Sequence, residues 1–223
     1  IQWRSTLLAI NENGTNALAI VALMSFLIGL VLAYQLGVQL RTYGADIFIV
    51  DVSGVAILRE FAPLITAVIM AGRTSTAFAA LIGTMKVNEE IDVLKTMGLS
   101  PIERLVLPRV FGLLIALPLL VVWSDIFGVM GSMLMANNLF DITYHAFLER
   151  FEATVGLKHY ILGIIKTPVF AIIIAAVGTF QGFQVGASAE SVGWKTTKAA
   201  VQSIFLIIIA DALFSIVFSW LDL

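Results

Sequence analysis

The chain alternates long apolar stretches with short polar segments. A membrane-spanning helix needs about 20 mostly apolar residues, and five stretches meet this requirement, at residues 17–40, 61–83, 110–136, 161–183 and 199–221. Residues 1–10, which include Trp3 and Arg4, are typical of a short amphipathic helix in the membrane interface. The pattern therefore predicts an all-α integral membrane protein with five transmembrane helices, an N-terminal interfacial helix and one domain over residues 1–223.

Composition supports a membrane protein and argues against several other classes. Hydrophobic residues make up 60% of the chain, charged residues 13%, and the mean hydropathy is +1.00, whereas a soluble domain is about half apolar and about a quarter charged. The net charge of -2 argues against a nucleic-acid partner. The chain has no Cys, and His145 and His159 lie too far apart in the sequence to indicate a metal site. Neither a phosphate-binding loop nor a nucleophile motif is present, so we expect no catalytic residues and no cofactor in this chain.

The distribution of basic residues predicts the orientation. An odd number of spans places the two ends of the chain on opposite sides of the membrane. One side, with the N-terminus and the loops 84–109 and 185–198, carries Arg4, Lys86, Lys95, Arg104, Arg109, Lys195 and Lys198, and the other carries Arg41, Arg59, Arg150 and Lys158. Because cytoplasmic loops are enriched in Lys and Arg, the N-terminus and loop 84–109 are predicted to be cytoplasmic.

Four charged residues fall inside the predicted spans, namely Arg73, Asp125, Lys166 and Asp211. Each costs at least about 2.5–3.5 kcal/mol at the centre of a membrane helix. For three of them we expect structural pairing, such as that of Arg73 with Asp125 or Asp211, rather than contact with a substrate or a place in an ion path. For Lys166, contact with a substrate is an equally open interpretation.

Arg59 and Glu60 precede the second predicted span. They suit an interfacial charge pair that sets the start of the helix. Alternatively, Glu60 faces a cavity and recognises an amphipathic ligand. Spacing alone does not separate these alternatives.

Loop 86–101 predicts a short capped helix. Asn88 suits the N-cap, Gly98 suits the C-terminal end, and acidic residues occupy the first turn, where the helix dipole favours them: Glu89, Glu90 and Asp92. An apolar stripe follows at a spacing of three: Ile91, Leu94 and Met97. An exposed stripe of this kind fits either a groove on a partner protein or the membrane surface.

Several ordered motifs resemble the MlaE family, the permeases of ABC transporters that work with Mce-domain proteins. The matching segments are LREFAP at 58–63, AGR at 71–73, IGTMKVNEEID at 82–92, MGLSP at 97–101 and LPR at 107–109. The resemblance covers nearly the whole chain. One subgroup carries an N-terminal STAS-like extension, and the start of this sequence at Ile1 without Met fits a missing segment of that type.

The resemblance implies an assembly in the inner membrane of Gram-negative bacteria that maintains the lipid asymmetry of the outer membrane. Two copies of the permease form a homodimer, and a hexamer of the Mce-domain protein sits on the periplasmic face. Each permease binds a cytoplasmic ATPase, which holds the ATP and Mg, through a coupling helix that matches Glu89, Glu90, Ile91, Asp92, Leu94 and Met97. The implied cargo is phospholipid or another hydrophobic molecule, moved between the inner and outer membranes.

The family's lipid-site positions match six residues here, Leu32, Leu40, Tyr43, Arg59, Glu60 and Lys166. The chain departs from common family members at Gln39, at Leu81 and in the segment 74–76. Two other functions stay open. One is an ion-coupled secondary transporter or channel that uses Asp125, Lys166 and Asp211, and the other is a scaffold for the Mce protein without a transport role.

Overall fold

Between residues 3 and 221 the chain forms seven helices and no strand, which confirms the all-α prediction. The computed structural model describes the backbone of residues 3–221 and the side chains of residues 17–221. The helices are α1 (Trp3–Arg41), α2 (Phe48–Val87), α3 (Glu90–Thr96), α4 (Ile102–Phe140), α5 (Tyr144–Thr154), α6 (Leu157–Phe183) and α7 (Ala189–Trp220). Residues 3–10 are continuous with α1 rather than a separate helix, and Ile1 and Gln2 lie outside the described residues.

Five helices are long and apolar enough to cross a membrane, which confirms the predicted number of spans. They are α1 from Ala17 onward, α2, α4, α6 and α7. The predicted start of the second span is wrong, because α2 begins at Phe48 rather than at residue 61. Arg59 and Glu60 therefore lie inside the helix and do not precede it. In the sequence, the charges of Asp51, Arg59 and Glu60 interrupt the apolar pattern, so only the later part of α2 was predicted as a span.

Wide π-helical turns interrupt α2 at Ile57–Phe61 and at Ala71–Ser75. The first turn ends two residues before Pro63, which has no N–H and whose ring crowds the carbonyl four residues earlier, inside the turn. The N–H of Ala62 donates to the carbonyl of Ile57, five residues back, so the wider turn accommodates the proline. In the second turn, the Thr76 hydroxyl donates to backbone carbonyls at 2.6 and 2.9 Å. The second span is thus irregular near residues 71–76.

The chain divides into two compact units. The first unit comprises residues 1–16, 67–118 and 167–223, and the second comprises residues 17–66 and 119–166. In the first unit, Ser75 of α2 donates to the Ala199 carbonyl at 3.2 Å and shares a 2.8 Å hydrogen bond with Ser203, both on α7. In the second unit, an apolar cluster packs α1, α2, α4 and α5 together: Ala33, Ile49, Val50, Ala136, Phe140, Ile142 and Phe147.

Candidate functional site

Three charged side chains meet inside the second unit, and we call them the charged cluster: Arg59, Glu60 and Lys166. The ammonium of Lys166 donates to Glu60 Oε2 at 2.5 Å, and the Arg59 guanidinium lies 3.6 Å from Glu60 Oε1. Glu60 thus stands between two cations, its sequence neighbour Arg59 and Lys166, which lies 106 residues from Glu60 in the sequence. The structure brings together three of the six residues predicted to bind substrate.

The local fold brings α6 close to the π-helical turn that carries Arg59 and Glu60. Gly163 lies three residues before Lys166, and a Cβ at this position would overlap the carbonyl oxygen of Leu58. The same Cβ would lie 3.1 Å from the ring of Pro63. Only glycine allows this approach without a shift of the backbone. Gly163 was not predicted from the sequence, where it is one apolar-span glycine among several.

The three side chains of the charged cluster are buried to different degrees. The side chain of Lys166 is 0% exposed, whereas those of Arg59 and Glu60 keep 19% and 31% of their surface. A buried ammonium is costly unless a counter-charge meets it, and Glu60 provides that charge. Arg59 and Glu60 form the partly exposed edge of the charged cluster, and a guanidinium at such an edge can donate to an anionic group such as a phosphate.

The other predicted lipid-site residues lie on α1 and in the turn that follows it, outside the charged cluster. Leu32 is half-buried, and Leu40 is half-buried against the apolar cluster of the second unit. Tyr43 is 84% exposed, in the turn between α1 and α2. Their exposure permits contact with a hydrophobic ligand, and their role stays a prediction.

The remaining intramembrane charges differ in their surroundings. Arg73 is half-buried in the second π-helical turn and Asp211 is buried on α7, and each takes part in an interaction within the protein. Asp125 on α4 is 5% exposed, and neither carboxyl oxygen has a hydrogen-bond partner among the described residues. The structural pairing expected for Asp125 is therefore absent from the part of the chain that the structure describes.

Comparison with known proteins shows a relationship that extends over nearly all of this chain. The family model described as "Permease MlaE" matches residues 6–217. The chain belongs to the MlaE permease family. A probable ABC transporter permease protein of Rickettsia typhi is 36% identical over 200 residues, which cover 90% of this chain and 77% of the relative.

Two other relatives have names that mention a transport system or a lipid. The chloroplastic protein TRIGALACTOSYLDIACYLGLYCEROL 1 of Arabidopsis thaliana is 32% identical over 215 residues, or 96% of this chain and 61% of the relative. The intermembrane phospholipid transport system permease protein MlaE of Haemophilus influenzae is 28% identical over 199 residues, or 89% of this chain and 76% of the relative. Family membership and the five apolar helices make this chain a multi-pass membrane permease subunit.

In this MlaE-family permease, α3 begins differently from the prediction. The helix starts at Glu90, and the preceding Glu89 has a left-handed backbone with φ of 60°. Asn88 is not the N-cap; its side-chain amide donates to Glu90 Oε1 at 3.2 Å. Gly98 ends the helix as predicted, since its φ of 71° suits glycine and its N–H donates to the Lys95 carbonyl at 2.9 Å.

The exposed apolar surface of α3 also differs from the predicted stripe. Ile91 is buried and Leu94 is half-buried, so these two side chains pack largely inward. The exposed apolar residues are Met97, at 67%, and Val93, at 55%. The prediction of one exposed stripe is therefore wrong for Ile91, and it missed Val93. The sequence spacing identifies an apolar face, but it does not tell which part of that face the permease itself covers.

A further ion pair of this permease, not predicted from the sequence, fixes α5. Arg150 donates two hydrogen bonds to the carboxylate of Asp51, at 2.8 and 2.5 Å, and the Thr154 hydroxyl donates to the same carboxylate at 2.7 Å. The hydrogen bond to Asp51 raises the pKa of the Arg150 guanidinium above its ordinary value. This contact joins α5 to the start of α2 in the second unit. No local signal marks it, since the two partners lie 99 residues apart.

Proposed function

We propose that this chain is the membrane permease of an ABC transporter that moves phospholipids or similar amphipathic molecules between the inner and outer membranes of a Gram-negative bacterium. Two copies of the permease would work with separate ATPase subunits, which bind ATP and Mg, and with a hexamer of an Mce-domain protein at the periplasmic face. The N-terminus would be cytoplasmic. Membership of the MlaE family and the names of the relatives support this proposal.

The charged cluster is the observation that carries the lipid part of the proposal. Its charged side chains lie within helices that are otherwise apolar, so a phosphate group and hydrocarbon chains can be bound side by side. The partly exposed Arg59 and Glu60 would contact the head group, and Lys166 would hold Glu60 in place. Leu32, Leu40 and Tyr43 would line the path of the acyl chains.

The test is transfer of a labelled phospholipid by the full reconstituted transporter. We expect Glu60→Gln and Lys166→Met each to lower ATP-dependent transfer about tenfold, which corresponds to about 1.4 kcal/mol of lost transition-state stabilisation. Glu152→Gln is the matched control, because Glu152 is an exposed carboxylate on α5. Unchanged transfer and unchanged copurifying phospholipid in both cluster variants would reject this role of the charged cluster.

We propose that α3 is the surface that binds the ATPase subunit. Val93 and Met97 provide an exposed apolar patch, and Asp92 lies beside it in an exposed 2.9 Å pair with Lys95. Insertion of this patch into a groove of an ATPase would couple ATP hydrolysis to α2 and α4, the helices on either side of α3. Glu89, Glu90, Ile91 and Leu94 would shape and support this contact.

Copurification measures the contact with the ATPase. We expect Asp92→Lys and Met97→Glu to release the ATPase subunit from the permease, whereas Glu152→Lys, on the other side of span α4, retains it. Retention of the ATPase by both α3 variants would contradict the docking surface. Transport driven by a proton or sodium gradient without ATP would instead support the ion-coupled transporter.

A further inference from the structure

A second binding feature lies in the second unit, apart from the charged cluster. A cavity of about 510 Å³ opens between α2, α4, α5 and α6, within the range of about 300–1,000 Å³ that is usual for ligand sites. Its wall is apolar almost throughout and includes Ile126, Met130 and Phe151, whereas Asp125 and Tyr160 are its polar side chains. Tyr160 precedes Lys166 by six residues, which places the two about 120° apart around α6.

Asp125 has no partner of its own in this wall. It is 5% exposed, and both carboxyl oxygens lack a hydrogen-bond partner among the described residues. The nearest hydroxyls along α4 are engaged elsewhere, since Ser124 bonds Ser25 at 2.6 Å and Ser132 bonds Ser53 at 2.8 Å. A buried polar group without a partner is destabilising, and more so when it is charged, so such a group in a folded protein calls for a specific explanation.

The cavity and the carboxyl group together define the chemistry of a ligand. We propose that this cavity binds a single-chain lipid whose head group donates a hydrogen bond to Asp125. The apolar wall accommodates one hydrocarbon chain, and a hydroxyl head group satisfies the carboxyl group without introducing a net charge. An anionic head group is disfavoured, because a second carboxylate next to Asp125 would add like-charge repulsion in an apolar setting.

The experiment uses the whole permease in phosphatidylcholine nanodiscs, with no ATP, so that its outcome does not depend on transport. The probe is hexadecanol that carries a photoreactive diazirine, and hexadecanoic acid with the same diazirine is the matched anionic probe. Crosslinked peptides are identified by mass spectrometry. We expect hexadecanol to label α4, α5 and α6 around Asp125, and the acid to label them about tenfold less at the same mole fraction, a difference of about 1.4 kcal/mol.

Two kinds of variant test the carboxyl group of Asp125 and the volume of the cavity separately. We expect Asp125→Asn to retain labelling within about threefold, because an amide oxygen still accepts a hydrogen bond, and Asp125→Leu to lower it about tenfold. Gly156 lines the cavity, and a Cβ there meets no atom within 4 Å, so Gly156→Phe should fill the space and abolish labelling. Gly193→Phe is the matched control, because a Cβ at Gly193 on α7 also meets nothing within 4 Å.

Three results would overturn the proposal. The first is equal labelling of the cavity by the alcohol and the acid. The second is full labelling by hexadecanol in both Asp125→Leu and Gly156→Phe. The third is a crosslink from the cavity wall to a copurifying polypeptide in place of the lipid probe, which would identify the cavity as a protein-docking groove.

Discussion

The buried pair of Lys166 and Glu60 predicts an asymmetric response to mutation. Glu60→Gln removes the carboxylate and leaves an ammonium group at 0% exposure, whereas Lys166→Met removes the buried charge itself. After Lys166→Met, the carboxylate still has Arg59 at 3.6 Å and keeps 31% of its surface exposed. The first change should therefore destabilise the protein more than the second.

The magnitude follows from the burial of each partner. Breaking a buried ion pair by removal of one partner costs about 3–5 kcal/mol. Because Glu60 is partly exposed, we take about 3 kcal/mol for Glu60→Gln and about 1 kcal/mol for Lys166→Met. The double variant lacks both charges, so it should lose only about 1 kcal/mol, and the coupling energy between the two sites is then about 3 kcal/mol.

Thermal unfolding of the purified permease in nanodiscs measures this double-mutant cycle. For a chain of this length, about 1 kcal/mol corresponds to a change in Tm of about 2–4 °C, so Glu60→Gln should lower Tm by about 6–12 °C. The exposed pair of Asp92 and Lys95 is the control, and Asp92→Asn with Lys95→Met should show no measurable coupling. Additive effects of the two cluster substitutions, within about 0.5 kcal/mol, would refute the pairing.

Three further substitutions test separate parts of the fold by the same measurement. Gly163→Ala should lower Tm sharply, because its Cβ overlaps a backbone carbonyl of the π-helical turn, whereas Gly193→Ala, which meets open space, should leave Tm unchanged or slightly higher. Arg150→Met should lower Tm through loss of the charge-assisted hydrogen bonds to Asp51, and His145→Ala on the same helix should have no measurable effect. Asp125→Leu should stabilise the permease by about 1–3 kcal/mol; a lower Tm would show that the carboxyl group has a structural partner.

Apolar length alone predicted much of this fold. In a chain with 60% hydrophobic residues, a stretch of about 20 apolar residues almost always forms a membrane-spanning helix. The number and the approximate centres of the spans were therefore predicted correctly. The end of α3 was also correct, since a left-handed turn at Gly98 is encoded locally. The start of α3 was not, because Glu89 adopts the left-handed conformation that sequence statistics assign to glycine and asparagine.

The site residues were predicted through family resemblance, and their geometry was not predictable from their spacing. The residues next to Glu60 in the sequence do not show that its counter-ion is Lys166, or that Gly163 permits the close approach of α6 to α2. The free energy of a charge depends on what surrounds it in the fold. A hydropathy window assigns every aspartate in a span the same cost, whether or not it is paired.

The pairing of the other carboxylates makes the lack of a hydrogen bond at Asp125 informative. Glu60 pairs with a cation 106 residues away in the sequence, and Asp51 pairs with one 99 residues away. Helix α2 therefore carries both carboxylates without leaving either of them unpaired. Asp125 lies on an equally apolar helix, yet the described residues offer its oxygens no hydrogen bond. Its cost in the membrane can be offset by a neutral form of the group or by a partner from beyond the described residues. The cavity beside it gives such a partner access, which makes the unpaired carboxyl group a better guide to an additional ligand than the paired ones.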